Sequence, residues 1–263
     1  MARHILRSAA LLYLLMLLVL PLAFIAYRTF EAGLGTFWAS LTSPSALHAF
    51  RVTIIVAFWA VLLNTIFGVA TALLLVRHTF IGKRALNALI DLPLAVSPVV
   101  VGLALILVYG RFTPVGGWLD AVGIQIIFSI PGMVLATVFV SLPLVVRSVV
   151  PVLEELGDEQ EQAARTLGAG RSATFRRITL PGIRAALGYG IVLCLARALG
   201  EYGAVAVVSG RLVDQTQTIT LFVEERFQNF DQPAAFAAST ALGLLAVATL
   251  LITKLIAPKV RSS

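Results

Sequence analysis

Six apolar stretches, each long enough to cross a bilayer as a helix, constrain this chain more than any other feature of its sequence. They run over 9–27, 52–76, 86–110, 130–153, 185–208 and 234–257. A hydrocarbon core of about 30 Å takes roughly 20 helical residues. The strands of a membrane barrel would instead alternate over about ten residues, and these runs do not. Helices are then the way to satisfy backbone groups in lipid. Composition agrees, since 59% of the 263 residues are hydrophobic and 13% are charged, where a soluble domain carries about a quarter charged. The expected fold class is an all-α integral membrane protein with six transmembrane helices in a single membrane domain.

Orientation follows from the basic residues, because cytoplasmic loops carry the Lys and Arg excess. With the N-terminus inside, only Arg28, Arg51, Arg111, Arg211 and Arg226 fall outside, and all others except Arg197 fall inside. Both termini are therefore expected in the cytoplasm. The net charge of +7 reads as this loop excess. No basic stripe interleaved with aromatics suggests nucleic acid. Arg3 and Arg7 precede the first run as they would in a signal peptide, but that run is too long and Phe24 stands where a cleavage site wants a small residue. A retained anchor helix is expected there. Cys194 is the single cysteine, so no intramolecular disulfide is possible, and no Cys/His spacing suits a metal. No G-x-S-x-G or H-E-x-x-H is present, and the Gly82-Lys83 pair lacks the rest of a phosphate loop. No catalytic residue and no cofactor are expected in this chain.

Two features resist a reading as plain membrane packing. The first is "LCLARALGEYGAVAVVSG", residues 193–210, where Arg197 and Glu201 stand four apart and would share one helix face. Intramembrane ionisable residues face a bundle interior or a cavity and find a partner. Arg197 and Glu201 can therefore hold helices together or line a path. Ser97 and Pro98, in "DLPLAVSPVVVG", together with Pro93, Pro143, Gly200 and Gly203, mark places where helices can kink or break beside such a path.

The second feature is the loop at 154–184, long and patterned with acidic residues early and basic residues late. A first short helix is expected over 158–167, stopping at Gly168, and a second from Ser172 to just before Pro181. Ala163, Ala164 and Leu167 would give the first helix a small, smooth face suited to close docking.

Within this loop the order Gln162-Ala163-Ala164, three residues, Gly168, nine residues, Ile178, one residue, Leu180-Pro181 resembles the EAA loop of ABC-importer permeases. "SPVVVGLALILVYG", "GGWLDAVGIQIIFSIPGMVLATVFVSLPLVVR" and "ARALGEYGAVAVVSG" extend the likeness from about Phe50 to the end, toward the sulfate/thiosulfate permeases of CysW type. Molybdate permeases share the "ARALGEYGA"-like block.

The resemblance implies a type I ABC-importer permease fold in a bacterial inner membrane. It also implies ATPase subunits that carry ATP and Mg, a homologous second permease, and a periplasmic sulfate-binding protein. Gln162, Ala163, Ala164, Gly168, Ile178, Leu180 and Pro181 would dock on the ATPase, and Arg197, Glu201, Ser97 and Pro98 would line or gate the path. One departure stands out: the family glutamate is Gln162 here, with Glu161 one place earlier. A single step turns a helical side chain by about 100°, so Glu161 cannot simply take its place.

Overall fold

The computed structural model describes residues 2–256, and those residues form helices with no strand among them. In chain order they are α1 (Ala2–Leu14), a π-turn (Leu15–Val19), α2 (Leu20–Glu31), α3 (Leu34–Leu41), α4 (Pro44–Arg77), α5 (Lys83–Ala95) and α6 (Pro98–Tyr109). There follow α7 (Pro114–Ala121), α8 (Ile130–Leu156), α9 (Glu159–Thr166), α10 (Arg171–Thr174), a second π-turn (Phe175–Thr179), α11 (Leu180–Leu199), α12 (Gly203–Val208), α13 (Ile219–Gln228) and α14 (Gln232–Ile256). Five helical runs are long and apolar enough to span a membrane: Leu6–Glu31, Pro44–Arg77, Ile130–Leu156, Arg171–Leu199 and Gln232–Thr249. A sixth exists only if α5 and α6 are taken together as one broken span, bent by 116°. Residue 257, the end of the last expected stretch, lies outside the described residues.

Four expectations change. The 86–110 stretch is not one helix. Pro98 cannot donate a backbone bond and pushes the residue before it out of the helical region, and Val96 and Ser97 are extended, with ψ of 138° and 133°. The 185–208 stretch is also divided, because α11 stops at Leu199 and Gly200, Glu201 and Tyr202 separate it from α12. Conversely, the second loop helix does not end before Pro181. It runs on through the π-turn into α11, with the Leu180 N–H bonded to the Phe175 carbonyl five residues back. The widened turn absorbs the donor that Pro181 lacks. The same device precedes Pro21, where the Leu20 N–H reaches the Leu15 carbonyl. Pro143, read as an interruption, lies inside a continuous α8 whose neighbouring Val140, Ser141, Val145 and Val146 are all buried.

The core is a three-helix contact of α4, α8 and α11, brought close by small residues as lipid-embedded helices require. A Cβ on Gly68 would sit 2.8 Å from a Val145 methyl, and one on Gly190 would sit 3.2 Å from the Val145 Cα. One turn from this contact lies Asn64, fully buried, whose amide donates to the Ser141 hydroxyl (2.8 Å), the Val138 carbonyl (3.2 Å) and the Cys194 sulfur (3.4 Å). Cys194 is thus part of a buried polar clasp. Arg147 clamps Asp91 of α5 with two bonds of 2.7 and 2.6 Å and also donates to the Asn87 carbonyl. The first helix stands apart: its apolar window has no buried residue, and it joins the bundle near its end, where the Thr29 hydroxyl meets Thr240 of α14 at 2.7 Å.

Candidate functional site

The two helix breaks lie together. A Cβ on Gly203, at the start of α12, would come 3.0 Å from the Pro98 Cβ and 3.6 Å from the Val99 nitrogen at the start of α6. One on Gly102 would come 2.8 Å from the Val207 Cβ and 2.9 Å from the Ala204 carbonyl oxygen. The half-helices α6 and α12 therefore run side by side in the same direction, with their N-termini at one level. Ser97 is exposed and its hydroxyl caps nothing, Pro98 is half-buried, and Val99 and Val100 are exposed.

Glu201 sits in the second break with 2% of its side chain exposed. Its Oε1 accepts the Ala204 N–H at 2.9 Å, which caps α12 with negative charge at the positive end of the helix. Its backbone carbonyl accepts the Thr220 hydroxyl at 3.0 Å, which fastens the break to α13. Arg197 Nη1 lies 2.8 Å from Oε2, an ion pair whose angles fall outside those of an aligned hydrogen bond. The sequence puts the two charges on one helical face. In the structure the pair instead closes across the end of α11, with the carboxylate buried and the Arg197 side chain 38% exposed.

The 154–184 loop forms a second site at the opposite end of α11. Gly168, with φ +85°, ends α9's last turn in a conformation that L side chains rarely adopt. Gln162, Ala163 and Gly168 are exposed, Ala164 is half-buried and Leu167 is 88% exposed, so none of the five is buried in the bundle. Gln162 donates to the Asp158 carboxylate at 2.7 Å on that outer side. The later motif residues behave differently. Ile178 is half-buried and Pro181 exposed, while Leu180 packs with Phe175 against the core residues Val69, Val149 and Ile183. The motif thus holds an exposed surface and the anchor that seats it.

Sequence reading missed Arg77, Glu161 and Thr179. Glu161 is buried and bonded to both others. Arg77 looks like any basic residue closing an apolar run, and nothing local marks its partner 84 positions away. Among the described residues, no group of three His, Cys, Asp or Glu could hold a metal.

Comparison with known proteins identifies the lineage. Residues 64–262 match the family model of the binding-protein-dependent transport system inner membrane component. The chain is 46% identical to the sulfate transport system permease protein CysW of Synechocystis over 254 residues, covering 97% of this chain and 92% of that one. It is 38% identical to the sulfate transport system permease protein CysT of Escherichia coli K12, covering 93% and 88%. The fold is also that of a chain in the crystal structure of a bacterial alginate ABC transporter, with a TM-score of 0.80 at 15% identity, covering 100% of this chain and 96% of that one. The chain belongs to the binding-protein-dependent transport system inner membrane component family, among its CysW-type permeases.

Proposed function

We propose that this chain is a permease subunit of an ATP-driven importer that carries sulfate, and thiosulfate with it, across a bacterial inner membrane. The observation that carries the reading is the 46% identity to a sulfate permease across nearly the whole chain. Likeness to both CysW and CysT proteins supports pairing with a second, homologous permease of CysT type. A periplasmic binding protein would deliver the anion from outside. ATPase subunits holding ATP and Mg would dock inside, so ATP hydrolysis would occur on partner chains. In this orientation both termini and the Arg77 end of the bundle are cytoplasmic, in keeping with the distribution of Lys and Arg.

The exposed Gln162, Ala163, Leu167 and Gly168, with half-buried Ala164 beside them, suit docking in an ATPase cleft. An exposed leucine beside small residues gives apolar contact with close backbone approach, and Gln162 adds a neutral polar contact where the family glutamate would add charge. The path would pass the paired breaks. A dianion leaving water needs compensating charge, which the Arg197 guanidinium supplies in fork geometry and the start of α6 supplies as a helix dipole. Glu201 holds Arg197 partly neutralised, so the anion is drawn in without being trapped. ATP-driven movement of the docked loop would tilt α11 and open the breaks alternately to either side.

The test is uptake of labelled sulfate by cells lacking their own permease of this type, supplied with this chain and its native partner subunits. ATP-dependent uptake blocked by excess thiosulfate, and little affected by molybdate, is the expected result. An assembled, ATPase-bound complex that takes up molybdate and not sulfate would contradict it.

A further inference from the structure

We propose that Arg77 and Glu161 form the strut through which movement of the docked loop reaches the membrane helices, with Thr179 fixing its carboxylate. The proposal rests on the reading of α9 as the ATPase-docking helix. It assigns Arg77 and Glu161 as positioning residues for coupling.

On α9 the one buried residue is Glu161. Its Oε1 accepts the Thr179 hydroxyl at 2.8 Å and Arg77 Nη2 at 3.3 Å, and its Oε2 accepts Arg77 Nε at 3.3 Å. Arg77 is the last residue of α4. Its other bonds go to the carbonyls at the end of α8, from Nη1 to Leu153 at 3.1 Å and from Nη2 to Gly157 at 2.6 Å. The side chains of Arg77 and Glu161 are only 15% and 9% exposed. The ion pair therefore joins four elements: the guanidinium ties α4 to α8 and to the loop helix, and the carboxylate adds the π-turn that leads into α11.

Three physical points make this a transmitter as well as a staple. The guanidinium is planar and its donors are fixed relative to one another, so displacing the carboxylate drags the carbonyl contacts too. The contacted carbonyls close α8, where a cation is favoured by the helix dipole. From Thr179 the helix runs without interruption to Leu199, and at 1.5 Å per residue it carries a tilt roughly 27 Å from the strut to Arg197. Neighbouring side chains on a helix diverge by about 100°. Glu161 therefore points inward while Gln162 stays on the docking surface, and the replacement at 162 leaves the strut intact.

The test uses the full complex with its ATPase and partner permease, comparing wild type with Arg77→Lys, Arg77→Gln and Glu161→Gln and with the double variant Arg77→Gln/Glu161→Gln. Lysine keeps the charge but cannot reach all four acceptor oxygens in fork geometry. A cysteine at the exposed pathway position, Val99→Cys, reports gate movement by its rate of thiol modification with and without ATP, the native Cys194 being buried. The expected result is retained ATPase capture and hydrolysis, loss of the ATP-driven change in modification rate, and at least a threefold fall in sulfate moved per ATP. The double variant should be no worse than the worse single. Wild-type coupling in all variants would overturn the proposal. So would simultaneous loss of assembly and hydrolysis in Arg77→Lys, which would make the pair a staple alone. A wild-type complex whose gate responds to ATP but moves no sulfate would overturn the assigned substrate and leave the strut to be judged on thiol modification.

Discussion

Glu201 serves two partners with its two oxygens, the Ala204 N–H in the first turn of α12 and the guanidinium of Arg197, and substitutions separate these roles. Glu201→Gln keeps an acceptor for the Ala204 N–H and loses the charge, so the complex should assemble while sulfate turnover falls about tenfold, with an unchanged or lower apparent KM as release slows. Glu201→Ala also removes the cap, at a cost of about 1 kcal/mol, and should lower the amount of folded complex as well. Arg197→Gln should cut uptake at least tenfold with assembly intact, and Arg197→Lys should retain more of it. Uptake kinetics normalised to purified complex check all four. The pair was visible in the sequence because two charges in an apolar run stand out. Its geometry was not, because helical spacing presumes a helix that in fact ends at Leu199. Arg77 and Glu161 were hidden for a different reason: each is ordinary where it stands, and only tertiary packing brings them together.

At the scale of the element, proline alone does not decide whether a helix breaks. Pro98 stands at a break, with Val96 and Ser97 before it extended. Pro143 does not, because α8 is packed against α4 and α11 along its length and the continuing helix is held by its neighbours. The sequence shows both prolines alike and shows neither environment. Likewise Pro181 reads as a stop until the π-turn before it is seen. The contact between α6 and α12 depends on Gly102, and Gly102→Val should overpack it against Val207 and the Ala204 carbonyl. The expected cost is about 1–3 kcal/mol, seen as a lower unfolding midpoint of the purified complex together with lost transport. Gly243→Ala, in α14 with open space around the added methyl, should leave the midpoint unchanged or raise it slightly, since alanine favours the helix by about 1 kcal/mol.

For the whole molecule, the sequence made the all-helical membrane class legible through the length and frequency of its apolar runs, and the loop spacing made the family legible. The side-by-side placement of the breaks and the division of the loop motif into an exposed part and a half-buried anchor needed three dimensions. What results is a body with one clasped core, a loop surface at one end, and paired half-helices toward the other. α11 runs from the first of these to the second. A passive channel has no use for such a connection, whereas a driven transporter needs one. The most direct measurement is sulfate accumulation in liposomes holding the complete complex, with and without ATP on the loop side. Accumulation that requires ATP, and ceases when vanadate arrests the ATPase, is the predicted result. Sulfate flowing down its gradient at the same rate without ATP would contradict the account.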